Sequence, residues 1–259
     1  MSNGLRDELE GKAAIVTGAS RGIGAETARE LARRGVSVVL AARTQGEIEA
    51  VANDIRDAGG KALACVCDVS VYADVAHVVE TCLSHFTKLD ILVNNAGVIE
   101  PIARLADSDP EQWSRVADIN YKGVYYGLRA AIPAMEARGT GVIVNISSGA
   151  ATSALEGWSH YCSTKAAVLS LTRCADKEYR DKGIRVVGLS PGTVATEMQV
   201  AIKVSGLNPV SQLDPSVHIP PEWAARAVAW LCTSAASDLA GTDFSLKDAA
   251  GRARVGLLP

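Results

Sequence analysis

The chain has 259 residues, 48% of them hydrophobic, with 29 acidic against 26 basic side chains and a formal net charge of −3 at pH 7. That length and apolar content suffice for one full α/β core, and the mild negative charge argues against a nucleic-acid or anionic-membrane partner. No apolar run approaches the roughly 20 residues of a membrane helix, and the opening Met-Ser-Asn-Gly-Leu-Arg-Asp-Glu-Leu-Glu lacks the apolar core of a signal peptide.

In chain order, the short apolar run 13–16 reads as a buried parallel strand and 26–34 as an amphipathic helix. Between them lie Gly18, Gly22 and Gly24, spaced Gly-x-x-x-Gly-x-Gly. Glycine permits positive φ and carries no Cβ, so a diphosphate can approach the backbone and the N–H groups of the helix start. Further buried strands are expected at 36–41, 62–66, 89–93, 141–146 and 184–189, with helices beginning near Gln45, Val71, Pro110 and Ser159. Strict alternation implies one parallel sheet, doubly wound, with helices on both faces and a single α/β domain over 1–259. Ligands of such sheets sit at the carboxyl ends of the strands. From 197 to 221 the pattern breaks at Gly206, Pro209, Pro215, Pro220 and Pro221. This segment is expected to form a lid over a substrate, the alternative being a passive surface loop.

Cysteine usage adds a compartment. Cys65 and Cys67 would alternate across a strand and cannot pair with each other. Cys82, Cys162, Cys174 and Cys232 show no metal-ligand spacing, so no metal site is expected. Free thiols suit a cytoplasmic protein.

The chemistry-bearing pair is Tyr161 and Lys165, four positions apart and so one helical turn apart on one face. A phenol with a reference pKa of about 10 is a poor proton carrier at neutral pH. An ammonium beside it favours the phenolate and should pull that value down. Ser148 lies upstream, at the end of a strand, where its hydroxyl can stabilise charge on a substrate oxygen. Its neighbour Ser147 points to the other face by strand alternation.

These features resemble the short-chain dehydrogenase/reductase family, over nearly the whole chain. The match includes Thr17-Gly-x-x-x-Gly-x-Gly, Cys67-Asp68-Val69, Asn94-Asn95-Ala96-Gly97, Asn120, Ser148, Tyr161-x-x-x-Lys165 and Pro191-Gly192, all in the family's order. The resemblance implies a Rossmann-like fold, an NAD(P)-dependent oxidation or reduction at a carbonyl/alcohol carbon of a small molecule, and a homodimer or homotetramer. It implies Asn120, Ser148, Tyr161 and Lys165 as the catalytic set. Lys165 would also hold the nicotinamide ribose beside Tyr161, and Asn120 would keep a water for proton relay from Lys165. It assigns Gly18, Ser20, Arg21, Gly22, Ile23 and Gly24 to the diphosphate turn, and Asp68 and Val69 to the adenine. Asn94, Ala96 and Gly97 would line the adenosine side, and Pro191, Gly192, Val194 and Thr196 would hold the nicotinamide.

Charge speaks to which cofactor. Where an NAD enzyme places a carboxylate after the second strand, this chain has Ala42, followed by Arg43. A guanidinium would hold a 2′-phosphate that a carboxylate would repel, and Arg21 adds a second positive charge. NADP is therefore expected, with NAD possible if both arginines are ordinary surface residues. A same-family enzyme preferring NAD is the near alternative, and a non-catalytic nucleotide-binding regulator the distant one. Val98, Ile99, Leu155, Trp158, Val194 and Met198 are expected in an apolar substrate pocket, with Glu100 and Glu156 nearby. Tyr121, Tyr125 and Tyr126 are expected in packing or an interface. The chain departs from the family at Thr242-Asp-Phe-Ser-Leu-Lys-Asp248, which replaces a Val-Asp-Gly-Gly-like turn.

Overall fold

A computed structural model describes residues 8–257. Seven strands form one sheet: β1 (Ala13–Thr17), β2 (Ser37–Ala42), β3 (Lys61–Val66), β4 (Ile91–Asn94), β5 (Gly141–Ile146), β6 (Ile184–Ser190) and β7 (Asp243–Ser245). Their order is β3-β2-β1-β4-β5-β6-β7, and every pairing is parallel. The chain winds outward from β1 to β3, returns, and winds the other way from β4 to β7. The reversal falls between β1 and β4, which is where doubly wound sheets bind ligands. The fold is Rossmann-like.

Strand alternation assigns each side chain to a layer. Ala14, Val16, Val38, Leu40, Ile91, Val93, Val144, Ile146, Val187 and Leu189 enter one core cluster. They pack there with helices α1 (Gly22–Arg33), α2 (Gln45–Asp57) and, beyond the middle of the chain, α8 (Pro221–Leu231). Ala13, Ile15, Val39, Ala41, Leu92, Ile143, Ile184 and Val186 enter the opposite cluster. There they meet α3 (Tyr72–Phe86), α5 (Gly123–Arg138) and α6 (Ser159–Tyr179). Both faces are apolar because both are covered, so the strands read as apolar runs and not as alternating ones. Three shorter helices complete the set: α4 (Pro110–Ala117), α7 (Glu197–Ser205) and α9 (Ala249–Val255). Among the described residues, no helix is long and apolar enough to cross a membrane.

Three elements differ from the sequence reading. Helix α1 begins at Gly22, not Glu26, because the close approach of the turn outweighs the poor helix propensity of its glycines. The 197–221 segment is structured: α7 is followed by two 3₁₀ turns, whose entry residues Asn208 and Asp214 accept hydrogen bonds from Val210 N and Ser216 N. Helix α8 was not expected from periodicity. It is buried on nearly all sides, so its apolar residues mark no single face.

Candidate active site

At the β1–β4 switch point the backbone is held from both sides. Thr17 Oγ1 accepts the N–H groups of Asn95 and Ala96 at 3.0 and 3.1 Å. The Asn95 carboxamide donates back to the Thr17 and Gly18 carbonyls at 2.9 and 3.1 Å. Gly18 adopts φ +62°, and a Cβ there would lie 2.8 Å from Ala96 Cα. A Cβ on Gly24 would overlap the Gly18 carbonyl oxygen. Side chains are thus excluded where the turn meets the helix. Arg21, at the N-cap of α1, is extended and offers no side-chain cap, which leaves the first-turn N–H groups without a capping partner. A smooth backbone cradle at an uncapped helix start fits a diphosphate. Ser20, Gly22 and Ile23 are partly exposed along its rim.

Next to this cradle, Arg43 is exposed just past β2 and pairs with no acid among the described residues. It bears on Asp68 together with Arg115. Burial by itself would raise the Asp68 carboxyl, but hydrogen bonds from Ser70 and the two guanidinium groups hold it below its usual range. Val69 is buried beside Gly123. Ala96 and Gly97 are half-buried along the edge of the cradle. Two expectations need correcting. Arg21 reaches across to Glu197 at 2.9 Å, in an exposed pair with the first residue of α7, so its charge is partly answered within the chain. Asn94 turns into the sheet, donating to Asn145 Oδ1 at 2.9 Å, so only its backbone could meet a nucleotide. Its neighbour Asn95 is the residue that shapes the turn.

Ser148 follows β5 and caps a short 3₁₀ turn, its Oγ accepting from Ala150 N at 3.2 Å. Strand alternation sends Ser147 the other way, to Asp243 Oδ2 at 3.1 Å. Helix α6 carries Tyr161 and Lys165 on one face, with the Tyr161 phenol close enough to Ser148 for its hydroxyl to bear on the phenol's ionisation. The Lys165 ammonium lies 5.6 Å from the Tyr161 ring centroid and donates to Ile146 O at 2.7 Å. The depressed phenol value expected from this pair does not arise in the chain alone. Burial pushes Tyr161 up to about 12, with the Ser148 hydrogen bond opposing. Burial also pushes Lys165 down to about 8, with the charge of Asp243 opposing. The ammonium approaches the ring and a main-chain carbonyl, and a dry site penalises both charges.

Asn120 sits in a π-helical turn, Asp118–Lys122, between α4 and α5. Its carboxamide accepts from Val98 N and donates to Val98 O, both at 2.8 Å, and reaches Thr164 Oγ1 at 3.5 Å. The side chain therefore pins the strand-end loop to α6, and its hydrogen bonds go to Val98 and Thr164. An irregular turn in a helix is common at functional sites.

Beside Tyr161, the residues Ile99, Ala150, Trp158 and Ile202 form a small apolar cluster, with Leu155, Met198 and Val210 packed against it. Val98, expected here, packs instead into the core shared with α3 and α5. Val194 is buried and bridges to Ile219, while Pro191 is buried and Gly192 adopts φ +81°. The Thr196 methyl faces Gly22, which brings the Pro191–Thr196 run against the glycine turn. Glu100 is exposed, and Glu156 pairs with Arg104 at 2.6 Å. Among the described residues, no group of three His, Cys, Asp or Glu side chains could hold a metal ion.

The family model described as short chain dehydrogenase matches residues 12–205. The chain belongs to the short-chain dehydrogenase family. It is 38% identical to the cis-4-hydroxycyclohexanecarboxylate dehydrogenase of Sinomonas cyclohexanicum over 89% of its own length and 92% of that protein. It is 34% identical to the cyclohexanol dehydrogenase of Acinetobacter sp. (strain SE19), covering 93% and 95%. The solved structure of NAD+-bound xylitol dehydrogenase superposes with a TM-score of 0.86 at 26% identity, covering 92% of this chain and 98% of that one. This short-chain dehydrogenase is accordingly an NAD(P)-dependent alcohol/carbonyl oxidoreductase.

Three residues that shape the dehydrogenase site were given no individual role by the sequence reading. Thr17 and Asn95 carried a signal, since each lies beside a glycine-containing motif at a strand end. Asp243 carried none, being one acid in an atypical tail.

Proposed function

We propose that the enzyme is an NADP-dependent carbonyl reductase or secondary alcohol dehydrogenase with Tyr161 as its acid/base. The observation that carries this reading is the convergence of Ser148, Tyr161 and Lys165 at the carboxyl end of β5, beside the glycine cradle. When bound, the nicotinamide supplies or accepts the hydride at its C4. Tyr161 passes the proton to or from the substrate oxygen, and Ser148 donates a hydrogen bond to that oxygen as charge develops. Lys165 carries positive charge under the tyrosine ring and would reach the nicotinamide ribose. Gly18, Ser20, Arg21, Gly22, Ile23 and Gly24 cradle the diphosphate, and Pro191, Gly192, Val194 and Thr196 face the nicotinamide. Asp68, Val69, Ala96, Gly97 and the backbone of Asn94 line the adenosine side.

Exposed Arg43, beyond Ala42, supports NADP over NAD, with Arg21 as a secondary contributor because Glu197 competes for it. The apolar cluster of Ile99, Leu155, Trp158, Met198 and Ile202, with the 197–221 lid above Tyr161, suits an uncharged ring. Two relatives are named for six-membered-ring alcohols, which favours alicyclic secondary alcohols and ketones as substrates. Exposed Tyr121 and Tyr125 offer a surface for the homo-oligomer that the family resemblance implies.

The test is a panel of cyclic and acyclic ketones and secondary alcohols, assayed with NADPH and NADH by nicotinamide absorbance. Turnover with NADPH and a cyclic ketone is expected. No turnover with any member, despite nucleotide binding, would leave the chain a regulator.

A further inference from the structure

The tail that departs from the family supplies a half-buried carboxylate, with its Oδ1 buried, behind the site. Asp243 opens β7, and its Oδ2 accepts from Ser147 Oγ at 3.1 Å and from Ser190 Oγ at 2.8 Å. Each serine stands one residue before a part of the candidate site: Ser147 before Ser148, and Ser190 before Pro191 and Gly192. One carboxylate therefore ties the start of β7 to the carboxyl ends of β5 and β6. The same strand end bears on Lys165, whose ammonium donates to Ile146 O, the carbonyl immediately preceding Ser147. Asp243 Oδ1 is buried with no hydrogen-bond partner, and Lys165 is itself buried. A dry, half-satisfied carboxylate is costly, and it persists where a charge nearby offsets it.

We propose that Asp243 is a positioning residue of this dehydrogenase: it fixes the strand ends that carry Ser148 and the Pro191–Gly192 turn, and supplies the negative charge that keeps Lys165 an ammonium. The proposal rests on the reading of Tyr161 and Lys165 as the proton-handling pair. The charged groups involved can be named from both sides. Lys165 is acted on by Asp243 from β7 and faces the phenol of Tyr161 on its own helix. Asp243 is acted on by Lys165 and Arg173, both of α6. Burial pushes Lys165 down and Asp243 up, and each charge opposes the shift of the other. With Asp243 neutral, Lys165 would lose its proton at lower pH, and support for a Tyr161 phenolate would vanish with it.

The Asp243→Asn variant keeps the shape and an acceptor for both serines while removing the charge. It is tested first on the chain without nucleotide, by lysine ¹⁵Nζ NMR against pH, the Lys165 signal being assigned through its loss in Lys165→Met. The titration midpoint of Lys165 is expected to fall by about one pH unit, the lower end of the effect of an opposite charge, because Asp243 bears on Lys165 without a direct ion pair. The alkaline limb of kcat/KM should fall by a similar interval, while Asp243→Glu should keep both near the wild type. If Asn at 243 does not fold, Asp243→Thr, of similar volume and equally uncharged, keeps a hydroxyl acceptor for the serines and gives the same comparison. An unchanged midpoint and pH profile alongside a lowered Tm would overturn the proposal and leave Asp243 a strand clamp only. Failure of the parent reading looks different: Tyr161→Phe would then retain turnover whatever Asp243 does.

Discussion

The two halves of the sheet solve their tasks with different materials. From β1 to β4 the candidate site is almost all backbone: positive-φ Gly18, the excluded Cβ of Gly24, and an uncapped helix start. From β5 to β7 it is almost all side chain, with Ser148, Tyr161, Lys165 and Asp243 converging from three elements. A backbone cradle is specified locally, because its geometry depends on which residues lack a Cβ. A cluster of side chains is specified globally, through the register of β5, β6 and β7. The nucleotide half should therefore fail sterically when broken, and the other half electrostatically.

The largest effect is expected from Tyr161→Phe, which keeps the ring's packing and removes the proton. Turnover should fall by about 10² or more, with NADPH affinity retained, as initial rates and calorimetric titration would show. Ser148→Ala should cost a similar factor through the lost contact to the oxyanion. With Tyr161 in its proposed acid/base role, carbonyl reduction needs the phenol protonated and alcohol oxidation needs it ionised. Because burial raises its pKa, oxidation should climb with pH across a range where reduction does not, which initial rates in both directions would check.

Gly24→Ala is the matching break in the other half. Its methyl must push the Gly18 carbonyl away, and overpacking of this kind costs roughly 1–3 kcal/mol. Both Tm and affinity for either nucleotide should drop together. A variant with unchanged affinity would show that the cradle is looser than its geometry implies.

Cofactor choice gives a sharper comparison. Arg43→Ala should weaken NADPH by roughly 10- to 100-fold, the loss of one charged hydrogen bond. NADH, with no 2′-phosphate, should be nearly unaffected. Arg21→Ala should weaken NADPH only several-fold, at the low end of such contacts, since Glu197 already shares its charge. Tm should hardly move in that variant, because an exposed ion pair contributes about 1 kcal/mol or less.

A smaller effect on stability should come from Lys165→Met, beside its loss of activity. Lys165 titrates near 8 in the fold and near its ordinary 10.5 when unfolded. The unfolded chain thus binds more protons between those values, so wild-type stability gains from this group as pH rises from 8 to 10.5. Below that window the burial penalty is fully present. The variant, free of it, should melt about 2–5 °C higher at pH 7, with the difference closing toward pH 10. Loss of activity with a gain in Tm would mark Lys165 as kept for function at the expense of stability.

Much of the nucleotide half was legible in the sequence. Gly18, Gly22 and Gly24 could be read because each excludes or permits a backbone state by itself, and the buried strands because both faces of the sheet are covered. Asn94 against Asn95 was not legible, since a one-residue step along a strand end exchanges core for site. Nor was the partner of Arg21, which lies on an element far along the chain. The sequence by itself determined the order of the elements, the position of the turn and the facing of Tyr161 with Lys165, all set by short-range geometry. Only the tertiary structure decided that Asn120 clamps Val98, that α8 is buried on nearly all sides, and that Tyr161 is shifted up and not down. Those outcomes depend on desolvation and on contacts between residues distant in the chain, and neither quantity is carried by a local pattern.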